Sequence, residues 1–216
     1  MSQKRNNNTR TEYLQQVSEG ETAVILSELR NILSQNISGD IVEFGCYRGD
    51  TSLLIEKTLE REFPESNSRL WIYDSFEGLP PRTREDASVA GDSFQQGELL
   101  VTKREVVERF KKAGLHVPRV RKGFFENLSN SDLPEEIAFA FLDGDLYQSI
   151  KTSLELVTSR MSDAGAILIH DYNNPHLPGV ARAVDEWMAG GWRAWSAQQK
   201  TAPKLQRRET LAIISW

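Results

Sequence analysis

The chain has 216 residues, which is long enough for one α/β domain with a large core. Of these residues 39% are hydrophobic and 26% charged, as is ordinary for globular proteins. Its net charge of −5 argues against a general nucleic-acid-binding protein, which needs a basic face to neutralise phosphates. A single cysteine excludes a disulfide within the chain, and no apolar run approaches the roughly 18 residues of a membrane span, so we expect a cytoplasmic protein.

The first segments predict a tail and a helix. Residues 1–10 are polar and rich in Asn, lack the apolar core of a signal peptide, and are expected to be disordered. Residues 12–35 carry apolar side chains at helical spacings. We therefore predict a helical cap over residues 11–37 that packs on a core at 38–216, all within one domain.

From residue 40 onward, short apolar strands alternate with helical segments. Strands are predicted at 40–44, 70–73, 117–121, 137–142, 166–169, 192–197 and 210–215, and helices at 51–62, 103–114, 149–161 and 180–188. This alternation predicts a doubly wound α/β fold in which helices cover both faces of a mostly parallel, seven-stranded sheet.

A long loop follows the second predicted strand. Residues 78–98 are rich in Pro, Gly, Asp and Ser and show no periodicity. Loops of this length are uncommon and are usually functional or disordered. We predict that residues 81–98 form a mobile lid over a ligand site.

The end of the first strand contains a glycine turn. Residues 43–51 read EFGCYRGDT. In sheets of this kind ligands bind beyond the carboxyl ends of the strands, and the glycines permit a tight turn and close approach of a ligand. The segment has neither the Gly-Lys-Ser/Thr of a P-loop nor the dinucleotide-binding spacing of glycines. A glycine turn alone is more often structural than functional.

An aspartate ends the second strand. Asp74 lies in the segment YDSFEGLP at residues 73–80. A carboxylate at this position can accept hydrogen bonds from two ribose hydroxyls. A turn or helix cap explains an isolated aspartate there equally well.

Acidic residues follow the fourth and fifth strands. Residues 142–147 read LDGDLY and residues 169–174 read IHDYNN. Neighbouring strands lie about 4.8 Å apart, so Asp143 and Asp171 would converge. Converging carboxylates repel each other unless they are protonated or bridged by a cation, and an oxygen-rich cluster suits Mg²⁺ or a similar ion. One such aspartate is usually a cap, whereas two clusters on adjacent strands favour a metal site.

These segments together resemble the macrocin O-methyltransferase family, metal-dependent enzymes that methylate sugar hydroxyls in natural-product pathways. The resemblance extends from about residue 40 to 188 and rests on VEFGCYRG at 42–49, YDSFEGLP at 73–80, LDGDLY at 142–147 and HDY at 170–172, with a weaker match at 180–187. It implies a Rossmann-like class I methyltransferase fold, S-adenosylmethionine as the methyl donor, and Mg²⁺ or Mn²⁺ as the metal.

The resemblance also implies roles for individual residues. The cofactor-binding set that it implies is Glu43, Gly45, Tyr47, Gly49, Thr51, Asp74, Ser75, Gly123, Phe124 and Asp143. The glycine turn is also similar to the Glu-x-Gly-x-Tyr-x-Gly-x-Ser/Thr turn of catechol-type O-methyltransferases. The implied metal ligands are Asp143, His170 and Asp171, and the candidate catalytic residues are Asp143 and Asp145.

The sequence departs from the related patterns at two positions. His170 stands where the family often has an acidic residue. Because imidazole suits Zn²⁺, Fe²⁺ or Mn²⁺ better than Mg²⁺, His170 either binds the metal or orients Asp171. Leu146 stands where catechol-type enzymes carry a lysine base, so any base must be another group.

We therefore predict an S-adenosylmethionine-dependent O-methyltransferase that uses a divalent metal and acts on a hydroxyl of a small molecule, in particular a sugar of a glycosylated natural product. Two alternatives stay open. A non-catalytic nucleotide-binding protein would need no acidic pair at 143 and 171, and a metal-dependent hydrolase would need no ribose-binding residue at 74. No nucleic-acid or membrane partner is expected, and the sequence permits a homodimer.

Overall fold

The protein forms one seven-stranded sheet between two layers of helices. The computed structural model describes residues 16–91, 93–194 and 202–216. The strands are β1 (Asp40–Phe44), β2 (Leu70–Asp74), β3 (Arg119–Lys122), β4 (Ile137–Leu142), β5 (Met161–Ile169), β6 (Lys204–Arg208) and β7 (Leu211–Ser215). The α-helices are α1 (Glu19–Ser34), α2 (Asp50–Glu62), α3 (Lys103–Ala113), α4 (Tyr147–Thr158) and α5 (Pro178–Met188).

The sheet order is β3-β2-β1-β4-β5-β7-β6. The first five strands pair in parallel, and β7 is antiparallel to both β5 and β6. The predicted doubly wound, mostly parallel seven-stranded fold is confirmed. The strand order reverses between β1 and β4, which is where such sheets place their ligands.

Alternating side chains of the central strands supply both halves of the core. Phe139 and Phe141 of β4 pack with α1, α2 and α3, whereas Ala140 and Leu142 pack with α4 and α5. All six residues of β4 are buried, as expected for a parallel strand covered on both faces. In the described residues, no helix combines the length and the apolar character needed to cross a membrane.

The carboxy-terminal part of the sheet differs from the prediction. The predicted strand at 192–197 is wrong for residues 192–194, because Gly191–Ala194 form a 3-10 turn. Residues 195–197 lie outside the described residues. The edge strand is instead Lys204–Arg208, and most of its side chains are exposed. Charged residues are typical of edge strands. Because most residues of this strand are charged or polar, the sequence shows no alternation of apolar and polar residues that would predict a strand here. The predicted strand at 210–215 is confirmed as β7.

Other elements differ from the prediction mainly at their ends. Strand β5 begins five residues earlier than predicted, at Met161, because this residue pairs with Ile137 of β4. Helix α1 begins at Glu19 with a capping box between Ser18 and Glu21. Residues 1–10, the predicted disordered tail, lie outside the described residues.

The loop predicted to be a lid is closed at its base by hydrogen bonds between its two ends, and Asp86 holds it against α4. At its base, the Leu79 amide donates to the Glu98 carbonyl at 2.9 Å, and the Gly97 amide donates to the Leu79 carbonyl at 3.0 Å. Further along, the buried carboxylate of Asp86 accepts from the Tyr147 amide at 2.7 Å and from the Thr83 amide at 2.8 Å. Helix α4 has no capping side chain of its own, so Asp86 caps it from the loop. Lid movement on ligand binding stays a prediction.

We expect Asp86→Ala to lower the free energy of unfolding by about 2–3 kcal/mol, because the substitution leaves buried amides without a charged acceptor. Urea denaturation followed by circular dichroism measures the change. Glu85→Ala, next to it in the same 3-10 turn, is the control. Equal stability of the two variants would show that Asp86 does not anchor the loop.

Candidate active site

A cavity of about 540 Å³ opens at the carboxyl ends of β1, β2 and β4. The turns after these strands form much of its wall, and the base of the lid and the segment after β3 complete it. Its lining includes Gly45, Tyr47, Asp74, Ser75, Leu79, Phe124, Asp143 and Asp145. The cavity therefore lies beside the point where the strand order reverses.

The structure brings most of the predicted cofactor-binding residues to this cavity. Glu43 and Thr51 line an adjoining cavity that shares Tyr47 and Asp143 with the first. Gly49 and Gly123 line neither cavity: Gly49 precedes α2 in a left-handed conformation, and Gly123 follows β3. Contact of any of these residues with a cofactor stays a prediction.

Gly45 is required by the packing of the protein itself. Its φ is +85°, and a Cβ added there would lie 2.0 Å from the carbonyl oxygen of Asp143. The turns after β1 and β4 therefore touch at this residue. From the sequence, Gly45 is expected to permit a tight turn and close approach of a ligand. The structure accounts for the tight turn.

Asp74 holds the glycine turn in place. One of its carboxylate oxygens accepts from the Cys46 amide at 2.9 Å and the Tyr47 amide at 3.1 Å, and the other accepts from the Phe76 amide at 2.7 Å. The turn-capping role that the sequence left open is thus present. The side chain also borders the cavity, so the ribose-binding role stays a prediction beside it.

Several residues that follow the strands have backbone conformations that are rare for side-chain-bearing residues. Tyr47, Phe76, Asp145 and Asp171 have φ values of +44°, +51°, +59° and +60°. They stand in the turns after β1, β2, β4 and β5, respectively. Such conformations cost about 1–3 kcal/mol each and cluster at functional sites. None of the four is glycine, so these conformations could not be predicted from residue type.

The buried carboxyl of Glu43 lies beneath the glycine turn. It is 1% exposed and accepts a hydrogen bond from the Ser52 hydroxyl. Burial raises the pKa of Glu43 to about 8; the Ser52 hydrogen bond opposes this rise, and the charges of Asp143 and Asp74 add to it. Glu43 is therefore mostly protonated at neutral pH, which limits the negative charge under the turn.

His170 is surrounded by carboxylates. Its Nδ1 lies 2.8 Å from Asp143 Oδ1 and 3.2 Å from Asp171 Oδ2, and its Nε2 lies 3.4 Å from Glu21 Oε1. Burial lowers the pKa of His170, but the three carboxylates outweigh this effect and hold the pKa well above its usual range. The expected convergence of Asp143 and Asp171 is confirmed, with the imidazole between them.

The pKa values of the neighbouring acids are shifted as well. Burial raises the pKa of Asp143, and the charge of His170 opposes that rise. Burial and the charges of Asp143 and Asp171 raise the pKa of Asp145 well above its usual range. Asp143 and Asp145 border the cavity, whereas His170 and Asp171 are 4% and 9% exposed and lie behind Asp143.

Sequence reasoning missed Glu21. This residue of α1 is 5% exposed, and the hydrogen bond from His170 lowers its pKa. Ser18-x-x-Glu21 is a capping-box pattern, which indicates that a helix begins there. Nothing in the pattern shows that this helix begins beside the end of β5.

Comparison with known proteins identifies the family. The family model described as macrocin-O-methyltransferase (TylF) matches residues 22–191. The chain belongs to the macrocin O-methyltransferase family. The matched segment contains all the motifs on which the resemblance was based, so that resemblance is confirmed.

Two curated O-methyltransferases are similar over most of this chain. The 8-demethyl-8-(2,3-dimethoxy-α-L-rhamnosyl)-tetracenomycin-C 4'-O-methyltransferase of Streptomyces olivaceus is 32% identical over 149 residues, which are 67% of this chain and 57% of that protein. The demethyldecarbamoylnovobiocin O-methyltransferase of Streptomyces niveus is 30% identical over 168 residues, 74% of this chain and 62% of that protein. The chain thus spans about three fifths of the length of these relatives.

Solved structures support the same fold. The O-methyltransferase NovP superposes with a TM-score of 0.75 and 24% identity, over 91% of this chain and 79% of that one. An O-methyltransferase from Bacillus cereus in complex with SAH superposes with a TM-score of 0.59 and 13% identity, over 97% of this chain and 87% of that one. Because both sequence identities are below 25%, these superpositions establish the fold alone, which is that of class I methyltransferases.

Proposed function

We propose that this protein transfers the methyl group of S-adenosylmethionine to a hydroxyl of a small molecule, and that a divalent cation assists the transfer. The observation that carries the proposal is the cavity in which the glycine turn, Asp74 and the carboxylates of Asp143 and Asp145 meet. Its position matches the ligand-binding position of doubly wound sheets. Membership of an O-methyltransferase family supports the reaction type.

The acceptor that we propose is a sugar hydroxyl of a glycosylated natural product. The Streptomyces olivaceus relative is named for methylation of a rhamnosyl tetracenomycin, and the Streptomyces niveus relative for a novobiocin precursor. The net charge of −5 disfavours a nucleic-acid substrate. A homodimer and a cytoplasmic location belong to the same proposal.

The donor set of Asp143, His170 and Asp171 fits a divalent cation. The ligand atoms of the three residues lie within 4.8 Å of one another. Neighbouring donors on a small divalent cation, each about 2.1 Å from the metal, are about 3 Å apart. The distances of 2.8 and 3.2 Å from His170 Nδ1 to the two carboxylates are close to that separation.

Glu21 supports a role for His170 as a ligand. Histidines that bind metals usually donate their other ring N–H to a carboxylate or carbonyl, and Nε2 of His170 faces Glu21 at 3.4 Å. The carboxylates of Asp143 and Asp171 both face Nδ1 of His170. The imidazole must give up the proton on this nitrogen to bind a cation. A nitrogen donor favours Mn²⁺ over Mg²⁺.

The residues of the chain have distinct roles in this mechanism. S-adenosylmethionine supplies a methyl group on a sulfonium, which moves to the acceptor oxygen and leaves S-adenosylhomocysteine. A divalent cation held by Asp143, His170 and Asp171 would supply Lewis-acid chemistry that makes the acceptor hydroxyl more acidic. Asp145, at the cavity wall, takes the hydroxyl proton in its ionised form. The glycine turn and Asp74 orient the cofactor for in-line transfer, and Leu79 and Phe124 exclude water.

A methyl-transfer screen tests the proposal. The protein is incubated with S-adenosylmethionine, Mn²⁺ and a panel of glycosides and phenols, and products are detected by a mass increase of one methylene group. Calorimetry with S-adenosylhomocysteine, with and without Mn²⁺, accompanies the screen. Cofactor binding without transfer to any acceptor would favour a nucleotide-binding protein, and absence of cofactor binding would contradict the proposal.

We expect Asp74→Ala to weaken S-adenosylhomocysteine binding by about 1.5–3 kcal/mol, because the variant loses a charged hydrogen-bond acceptor at the ribose and at the glycine turn. Calorimetry on a variant with an unchanged far-UV spectrum measures this. Glu77→Ala, an exposed carboxylate three residues later, is the control. An unchanged dissociation constant for Asp74→Ala would remove this residue from the cofactor site.

A further inference from the structure

A second group of potential metal ligands lies at the end of the strands opposite to the candidate active site. Glu56 and Glu60 stand one turn apart on α2, and His116 lies between α3 and β3. One ligand atom from each of these residues lies within 4.8 Å of the other two. The group borders a cleft near the amino ends of β2 and β3, so it is separate from the cavity at their carboxyl ends.

His116 is held against Glu60 by two contacts. Its Nδ1 lies 2.9 Å from Glu60 Oε1, and its backbone amide donates to the same oxygen at 2.6 Å. The imidazole itself is 85% exposed. The imidazole ring is therefore accessible to an ion from solvent.

Glu56 supplies the unusual feature of this group. The residue is only 8% exposed, and its buried Oε2 has no hydrogen-bond partner among the described residues. A buried polar atom without a partner costs free energy, and such atoms are rare in native structures. A cation among the three side chains would give the buried Glu56 carboxyl a charged partner.

We propose that Glu56, Glu60 and His116 bind a divalent cation of the zinc type and thereby tie the end of α2 to the start of β3. Two carboxylates and one imidazole match the mixed oxygen and nitrogen ligands of Zn²⁺, and the nitrogen disfavours Mg²⁺. Water completes the coordination on the open side of the cleft. The role is structural, since the group lies away from the cavity.

Zinc binding is measured by calorimetry and native mass spectrometry. The double variant Asp143→Asn/Asp171→Asn serves as the parent protein, because it weakens binding at the other group of potential metal ligands. We expect this parent to bind one equivalent of Zn²⁺. Glu60→Gln, His116→Ala and the isosteric Glu56→Gln should each weaken Zn²⁺ binding at least about tenfold. Glu62→Gln, on the same helix but paired with Arg30, should leave Zn²⁺ binding unchanged.

Thermal denaturation provides a second readout. At a free Zn²⁺ concentration of about 100 times the dissociation constant, Tm of the parent should rise by about 5–10 °C. The Glu60→Gln variant should show no such rise at the same concentration. Absence of bound Zn²⁺ up to about 1 mM in the parent, or variants that bind Zn²⁺ within about twofold of the parent, would overturn the proposal.

Discussion

Asp143→Asn and Asp171→Asn are each expected to reduce methyl transfer at least about 1000-fold, equivalent to roughly 4 kcal/mol of transition-state stabilisation. Each substitution removes one negative charge from the group that surrounds His170 and thereby weakens the cation site. Initial rates with an acceptor found in the screen, measured in saturating Mn²⁺, provide the test. EDTA should stop the reaction of the unsubstituted protein, and Mn²⁺ should restore it.

The two variants should differ in cofactor affinity. Asp143 borders the cavity, so its substitution should also weaken S-adenosylhomocysteine binding. Asp171 is 9% exposed and does not line the cavity, so its substitution should leave that affinity nearly unchanged. Asp163→Asn is the matched control for the rates, because it replaces an exposed aspartate of β5, the strand that precedes Asp171. Full turnover in excess EDTA would disprove the metal mechanism.

Gly45→Ala is expected to lower the free energy of unfolding by about 3–5 kcal/mol. Part of the loss is the strain of a left-handed conformation, about 1–2 kcal/mol, and the rest comes from forcing a methyl group against a backbone carbonyl. The new Cβ would lie 2.0 Å from the Asp143 oxygen, so the turns after β1 and β4 must separate. Urea denaturation measures the stability, and calorimetry measures the loss of S-adenosylhomocysteine binding.

Gly114→Ala separates the two contributions. Gly114 also has a positive φ, +68°, but apart from its own chain neighbours no atom of the described residues lies within 4 Å of an added Cβ. Its substitution should therefore cost only the strain, about 1–2 kcal/mol. If the two variants lose the same stability, contact between the two turns is not what requires glycine at position 45.

The sheet could be predicted from the sequence because burial on both faces leaves a clear pattern. The run IAFAFL of β4 and the apolar segments of β1 and β2 predicted the correct strands, since most residues of a buried strand are apolar. Strand β6 was missed because an edge strand packs on one side only, and its basic side chains resemble those of a surface loop.

The candidate site was predictable only where it follows the strand ends. Asp74, Asp143 and Asp171 were found because the topology of parallel sheets brings the carboxyl ends of the strands together. Asp86 and Glu21 were missed because each reaches its partner across a tertiary contact, one from the lid to α4 and the other from α1 to β5. The left-handed conformations of Tyr47 and Asp145 were missed because surrounding packing, rather than local residue preference, imposes them.

The contact between Glu21 and His170 bears on how this chain can be divided. The segment shared with the family begins at residue 22, one position after Glu21. A version of the protein trimmed to the shared segment therefore discards one of the three carboxylates around the imidazole, together with the acceptor of the Thr210 hydroxyl hydrogen bond. The first turn of α1 therefore carries a contact to the candidate metal-binding group, and a minimal version must begin before residue 18 to retain the capping box that places Glu21.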